Sequence, residues 1–474
     1  MVGAQTEDGA APSVGAYLGK SGDRQALEQP AGELGDAQGS GQPTADLGGS
    51  LPGGAPLPQS VDEARCWGWL MRLGEITDPA RPWTRTAFSE RHLQGRQFLT
   101  GVMRESGLET HIDAVGNLIG RREGTDPGAG TIMIGSHSDT VVGGGRFDGI
   151  AGVIAGLEIA AALRDTGTQL RHSLEIVDFL AEEPNEFGLS CVGSRGMAGA
   201  LDADMLKRVN RAGTSLRDAL AGVRAAGPNL GDVSVGAARR DDVAAFFELH
   251  IEQGPVLEAQ GCDVGIVTHI AGIRRLALTF KGQAAHAGTT PLDLRRDALV
   301  ASSRFVLDLR GALERAAGAS PFVIATVGEI HVTPNAPNVV PGEARLVVDL
   351  RSDSGDALVT WTERINGLAE QAARDARVGL ADFRLLSATQ PTTCAPALLC
   401  HLRAAAGELS LKQQDIVSGA GHDAAFLSQV APAAMLFVPS REGMSHTAEE
   451  WTDSAALAKG VATVLRAVRA FDAQ

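Results

Sequence analysis

The sequence predicts an α/β protein with a mostly parallel sheet and an inserted α+β segment. Three observations carry that expectation. Apolar strands alternate with helical periods along most of the chain, which implies parallel strands covered on both faces. Residues 271–389 break this alternation with period-two strands and two long helices. Hydrophobic residues make up 44% and charged residues 21% of the 474, a globular balance with room for a sizeable core.

Residues 1–58 stand apart. They are rich in Gly, Ala, Gln, Pro and Ser and hold the only tyrosine, Tyr17. Such a stretch cannot bury enough apolar surface to offset its ordering entropy, so a disordered tail is expected. A misassigned start or a targeting segment are the alternatives, and the acidic residues speak against the second. Segment 61–74, VDEARCWGWLMRLG, carries one apolar helical face, and 89–105 reads as a second helix. TIMIG at 131–135 is a short buried strand, and 149–164 is a helix of small apolar residues. SLEIVDFLA at 173–181, VAAFFELHI at 243–251 and AAMLFV at 433–438 are further strands, and 454–471 is a closing helix. Within 271–389, RRLALTFKG alternates like a half-exposed strand. A helix at about 293–315, strands near 322–330 and 344–351, and a helix at about 355–377 follow. The expected division is a body built from 59–270 and 390–474, with an antiparallel second domain at 271–389.

Composition excludes several classes. Forty-two basic against 57 acidic residues leave a net charge of −15, which argues against a nucleic-acid binder. No run approaches 18 apolar residues, so no membrane span is expected. The start lacks a basic region followed by an apolar one, so secretion is not indicated. The five cysteines are scattered, odd in number and never CxxC. That is neither a disulfide framework nor a thiolate zinc site, and a reducing cytoplasm is the expected setting.

Four segments carry candidate chemistry. In GSHSDTVVGGGRFDGIAG, 135–152, His137 and Asp139 leave a strand, and a glycine-rich loop brings Asp148 to the next helix. Imidazole and carboxylate together suit zinc, manganese or cobalt. Asp139 is placed to accept the other ring N–H of His137 and fix its tautomer. A Gly-rich turn with an Asp cap is the plain alternative; neither GxGxxG nor a Walker lysine is present. In FLAEEPNEFG, 179–188, Glu182 and Glu183 sit at the mouth of an apolar strand, where adjacent side chains point to opposite faces. One carboxylate on a metal and the other as general base would compensate their burial. In FFELHIEQGP, 246–255, His250 lies within an apolar strand between Glu248 and Glu252. A satisfied core histidine is the alternative there. In REGMSHTAEEW, 441–451, His446 follows another strand. Ligands in open α/β sheets bind beyond the carboxyl ends of strands, where these residues emerge. Together they form the inventory for two metals bridged by one carboxylate.

These segments resemble the zinc-dependent amidohydrolases of the aminoacylase and carboxypeptidase superfamily. The similarity is to the branch of N-carbamoyl-L-amino acid hydrolases, allantoate amidohydrolases and β-ureidopropionases. It runs from about residue 60 to the C-terminus through GSHSDTV with FDGIAGV, AEEPNEF, ELHIEQGPVLE, HAGTTPLDLRRDA, PNAPNVVPGEARLVVDLR, SGAGHDA and GMSHTAEEWT. The resemblance implies two divalent ions per subunit, zinc or else manganese, cobalt or nickel. By it, His137 and His250 hold one ion, Glu183 and His446 the other, Asp148 bridges, and Glu182 is the general base. His250 stands where the superfamily's peptidases carry Asp, which implies ureido acids rather than peptides as substrates. Gln253 matches a residue near the substrate. Segment 271–389 corresponds to a lid that also makes a homodimer. His286 matches a histidine that reaches into the partner's site and steadies the oxyanion, and Asn338 and Arg351 match residues that bind the substrate carboxylate. Arg offers a planar fork for such a group and Asn an amide donor. Gly419, Ala420 and Gly421 precede an expected helix at His422, so their N–H groups are further candidates to hold an anion. His422 itself is left between substrate contact and helix cap.

The sequence departs from the family pattern at three places. Pro184, Asn185 and Glu186 stand where Gly-x-Arg is common, Ala448 where proline is common, and Leu292 where methionine is common. None removes a proposed ligand or the base. The implied activity is hydrolysis of the ureido C–N bond of N-carbamoyl-L-amino acids to amino acid, ammonia and carbon dioxide. Allantoate or β-ureidopropionate hydrolysis is the alternative.

Overall fold

The computed structural model describes residues 61–225 and 235–474. The tail expected at 1–58 lies outside the described residues. The larger sheet has nine strands. Eight run in the spatial order Glu109–Ile112, Leu118–Arg122, Ser173–Phe179, Thr131–His137, Val243–Ile251, Ala433–Val438, Val264–Ile270 and Thr392–Thr393. Gln413–Ser418 adds to Val264–Ile270. The four central strands, from Ser173–Phe179 to Ala433–Val438, are mutually parallel. Antiparallel pairs sit at the margins. The expected α/β class holds, with the parallel character concentrated at the sheet's centre.

Burial explains that centre. Thr131–His137 and Ser173–Phe179 are buried at every residue, so their apolar residues fall on both faces rather than alternating, with Glu175 and Asp178 as buried charges in the second. Helix Ile150–Asp165 is buried at all but its last two residues, which is why it is apolar all round. Its one buried charge, Glu158, is held by Arg65 Nε at 2.7 Å and by the Asp62 N–H at 2.8 Å. The terminal helix Ser454–Asp472 joins the same core. No helix among the described residues is long and apolar enough to cross a membrane.

Residues 272–388 form a separate antiparallel sheet in the order Gly379–Ala388, Gly272–Lys281, Glu343–Ser352, Val323–Thr333. Alternate residues Leu276, Leu278, Phe280 and Leu346, Val348, Leu350 face helices Ala298–Glu314 and Gly355–Asp375 around Phe305 and Trp361. The first of these helices begins later than the expected 293, because Asp297 caps it through the Leu299 and Val300 N–H groups. Strand Gly379–Ala388 goes unannounced in the sequence: it is largely exposed and bulged twice, which erases the period-two signal.

Candidate active site

The carboxyl ends of the four central strands open on one edge of the sheet, and the candidate residues leave from there. His137 ends its strand, Glu182 and Glu183 follow Ser173–Phe179, His250 is next to last in Val243–Ile251, and His446 lies in the loop after Ala433–Val438. Asp148 directly precedes Gly149 and the buried helix. Gly149 has φ 66, and a Cβ there would press on the His137 ring, so only glycine permits this approach.

Asp148 is the hub. Its Oδ1 lies 3.1 Å from His250 Nε2 and 3.7 Å from His137 Nε2, and its Oδ2 lies 2.9 Å from His446 Nε2. His446 Nε2 is also 3.2 Å from Glu183 Oε1. His137, Asp148 and His250 bring their ligand atoms within 4.8 Å of one another, and so do Asp148, Glu183 and His446. Tautomers fit this use. His250 Nδ1 is 2.9 Å from the Ile251 carbonyl and His137 Nδ1 is 3.0 Å from the Asp139 carbonyl. Each carbonyl claims the Nδ1 proton, which leaves the Nε2 lone pair for a cation. The donor set therefore fits divalent metal binding. A third group, Glu248, His250 and His422, meets the same distance criterion, but Glu248 is occupied by the Ser136 hydroxyl at 2.8 Å and the Ala424 N–H at 3.0 Å.

The cluster draws positive charge. Burial disfavours ionisation of Asp148, yet hydrogen bonds from His250 and His446 outweigh it and hold the carboxyl well below its usual range. Asp148 and Glu183 push the His446 imidazolium up to about 10. Burial raises Glu182 well above the ordinary carboxylate range against the pull of His137, with Glu183 adding to the rise. Glu182 Oε1 accepts from the Cys191 thiol at 3.1 Å, and Oε2 lies 3.7 Å from His137 Nε2.

The remaining candidates divide. A cavity of about 290 Å³ is lined by all five proposed ligands, Glu182, Gln253, Arg351, Ala420 and Gly421. Gln253 Nε2 donates to Asp148 Oδ2 at 2.8 Å, while its Oε1 has no partner among the described residues. Arg351 donates through Nη1 to the Gly419 carbonyl at 2.7 Å and through Nε to Asp349 at 2.6 Å. His286 and Asn338 are not brought there. They sit side by side on a short ribbon, with His286 paired to Val339, and both are exposed. His286 Nδ1 accepts the N–H groups of Gly288 and Thr289.

Three expectations change in detail. The carboxylate of Asp139 does not take the His137 proton; its main-chain carbonyl does. The carboxylate instead accepts the N–H groups of Glu182 and Glu183, each at 3.2 Å, because the strand ends turn these loops toward each other. The helix expected at His422 begins at Ala424 and has four residues. Gly419 faces Arg351 with its carbonyl, and the Ala420 N–H goes to Ser418 Oγ at 3.1 Å, so these groups do not lie at a helix end and the Ala420 N–H is already committed. His422 is buried, bonded to Ser418 Oγ at 2.8 Å, and stacked edge-on against His250 at 4.6 Å. It backs a ligand rather than capping a helix.

Sequence reasoning missed Arg275, Cys191 and Glu450. Arg275 lines the cavity and faces Asp349 across the sheet, a pairing visible only once the register is known. Glu450 is buried and accepts the Phe147 and Asp148 N–H groups at 2.8 and 3.1 Å and the Ser445 hydroxyl at 2.9 Å. It ties the loop of His446 to the loop of Asp148. Its position four residues after His446 in HTAEE was the available signal.

Comparison with known proteins gives the same direction. The pattern described as peptidase family M20/M25/M40 matches residues 107–470. The chain is 40% identical over 390 residues to an N-carbamoyl-L-amino-acid amidohydrolase of Paenarthrobacter aurescens, covering 82% of this chain and 93% of that one. It is 35% identical over 402 residues to an allantoate amidohydrolase of Bacillus subtilis, covering 83% and 93%. A crystal structure of an amidase of the hydantoinase/carbamoylase family from Burkholderia multivorans superposes with a TM-score of 0.81 at 36% identity, over 88% of this chain and 99% of that one.

Proposed function

The chain belongs to peptidase family M20/M25/M40, and from that premise we propose that it hydrolyses the ureido C–N bond of N-carbamoyl-L-amino acids. The observation that carries the reading is the meeting of three imidazole Nε2 atoms and two carboxylates beside Glu182, in a cavity that Arg351 also lines. His137, His250 and Asp148 would hold one divalent ion, and Glu183, His446 and Asp148 a second. Mixed nitrogen and oxygen donors suit zinc, manganese, cobalt or nickel. Bound ions supply Lewis acidity that polarises the carbamoyl carbonyl and acidifies water. Glu182 takes the proton of the attacking water and delivers it to the departing nitrogen. Arg351 binds the substrate carboxylate, exchanging the Gly419 carbonyl for it. Gln253 orients the substrate with its unpartnered Oε1, and Asn338 adds a donor from the lid. His286 stabilises the oxyanion.

A homodimer through residues 271–389 completes this reading. Among the described residues strand Val323–Thr333 is a sheet edge carrying exposed Ile324 and Ile330, and the neighbouring helix exposes Val300 and Leu307. Such an edge calls for a covering partner. The five free cysteines suit a cytoplasmic protein. Allantoate is the second reading, favoured by the Bacillus subtilis relative. The test is ammonia release from a panel of N-carbamoyl-L-amino acids and allantoate, alongside metal analysis. Turnover of the carbamoyl amino acids with about two ions per chain is expected. Turnover of allantoate alone selects the second reading, and full activity in metal-free protein refutes both.

A further inference from the structure

A second cavity of about 390 Å³ lies beside the active-site cavity, and Pro184 lines both. Its walls come from two segments. One is Thr86–Ser89, which leads into the helix Glu90–Glu105. The other is Pro184–Glu186, which directly follows the proposed ligand Glu183. The Glu186 carboxylate is exposed and has no hydrogen bond or ion pair among the described residues. Phe88 lines the same cavity. This bulky residue is held at φ 66, a left-handed conformation that L side chains rarely adopt. Two contacts and a neighbouring helix cap hold it there. Its ring meets Phe187 edge-on at 5.3 Å, its N–H reaches His92 Nδ1 at 3.3 Å, and Ser89 caps the following helix through the His92 N–H. The cavity therefore combines an aromatic residue, a proline shared with the reaction site, and one uncompensated carboxylate.

We propose that this cavity receives the side chain of the substrate and that Glu186 selects α-ureido acids whose side chain ends in a cation. The inference rests on the reading of the reaction given above. A long aliphatic stem can lie along Pro184 and Phe88 while its charged end meets Glu186, the arrangement such side chains favour at a half-wet surface. The carboxylate supplies charge complementarity, and an aromatic face within reach of a cation adds to it. A neutral side chain of equal length would gain the apolar contact alone. An acidic one would be repelled.

The test compares Nα-carbamoyl-L-lysine with Nα-carbamoyl-L-norleucine and N-carbamoyl-L-glutamate on the metal-loaded enzyme. The kcat/KM ratio of lysine to norleucine derivative is expected to fall by about two- to fivefold in Glu186→Gln, the scale of an exposed ion pair. Glu186→Lys should raise the glutamate derivative above the lysine one. Added salt should shrink the wild-type ratio and leave that of Glu186→Gln unmoved. Calorimetric binding of the free products, L-lysine and L-norleucine, provides a readout independent of turnover. If carbamoyl amino acids are hydrolysed but the ratio is the same in wild type and Glu186→Gln, the subsite is refuted and the reaction stands. If none is hydrolysed but lysine binds more tightly than norleucine in a Glu186-dependent way, the subsite stands and the reaction falls. Equal binding of the two amino acids by wild type overturns the subsite whatever the turnover.

Discussion

Asp148 is the residue on which both donor sets meet, and its surroundings set what single substitutions should do. Its neighbour Gly149 leaves no space for a methyl group beside His137. Behind it, Glu450 fixes the Phe147 and Asp148 N–H groups. Glu450→Ala should therefore weaken metal binding by about 10- to 100-fold, the usual scale for a group that holds a ligand in place, while the far-UV spectrum persists. Unchanged affinity in a chelator competition would show that Glu450 is only structural. The paired glutamates separate by role. Glu182→Gln should keep both ions and lose rate by about 10²- to 10⁴-fold, whereas Glu183→Gln should lose one ion. Swapped phenotypes would reverse the assignment. Proton competition gives a further test. Asp148 and Glu183 hold the His446 proton up to about 10, and an ion must displace that proton to use Nε2. Metal uptake should then release protons below that pH, and apparent affinity should rise by about tenfold per pH unit for each proton displaced. Affinity flat between pH 6 and 8 would remove His446 from the ligand set.

The elements that carry the site are tied by buried charge as well as apolar packing. Glu158, fully buried in the central helix, is matched by Arg65 from the first helix at 2.7 Å. Removing Arg65 alone leaves the buried carboxylate without a counter-charge and with the Asp62 N–H as its remaining partner. Arg65→Ala should cost about 2–4 kcal/mol, and pairing Arg65→Met with Glu158→Leu should recover most of it. Denaturant midpoints of the single and double variants decide this, and an additive loss would contradict it. The pattern of what the sequence revealed follows the same physics. Strands Thr131–His137 and Ser173–Phe179 and the mostly apolar helix Ile150–Asp165 were legible, because burial on every side leaves a high density of apolar residues. Strands Glu109–Ile112, Leu118–Arg122 and Gln413–Ser418 were not, being short and partly exposed. Among site residues, those with two potential ligand types close in sequence, such as His137 with Asp148, could be picked out from spacing. Arg275 and Cys191 could not, because only the strand register and the loop between 183 and 191 carry them to the cavity.

At the scale of the whole molecule, one placement calls for an explanation. Arg351 of the inserted segment already lines the cavity that holds the proposed metal ligands, but His286 and Asn338 lie on an exposed ribbon outside that cavity. A proton-donating histidine is of no use there unless a motion or a second copy brings it to a reacting atom. His286 Nδ1 accepts two backbone N–H groups, which leaves Nε2 as the donor of this exposed side chain. That is the tautomer required to steady an oxyanion in a neighbouring site. The expected arrangement is a homodimer in which each subunit's ribbon completes the other's cavity when the lid closes. His286→Ala should lower kcat with metal content unchanged, and Arg351→Ala should mainly raise KM for substrates bearing a carboxylate. Mixing inactive His286→Ala with inactive Glu182→Gln separates the two possible origins of the histidine. If it comes from the partner, a mixed dimer holds one site with both lesions and one with neither, and activity returns to about half the wild-type value per heterodimer. If it acts within its own chain, every site in the mixed dimer keeps one lesion and nothing returns. Demonstrated subunit exchange without recovered ammonia release would therefore assign His286 to its own subunit's site, while leaving the proposed metal ligands and base untouched.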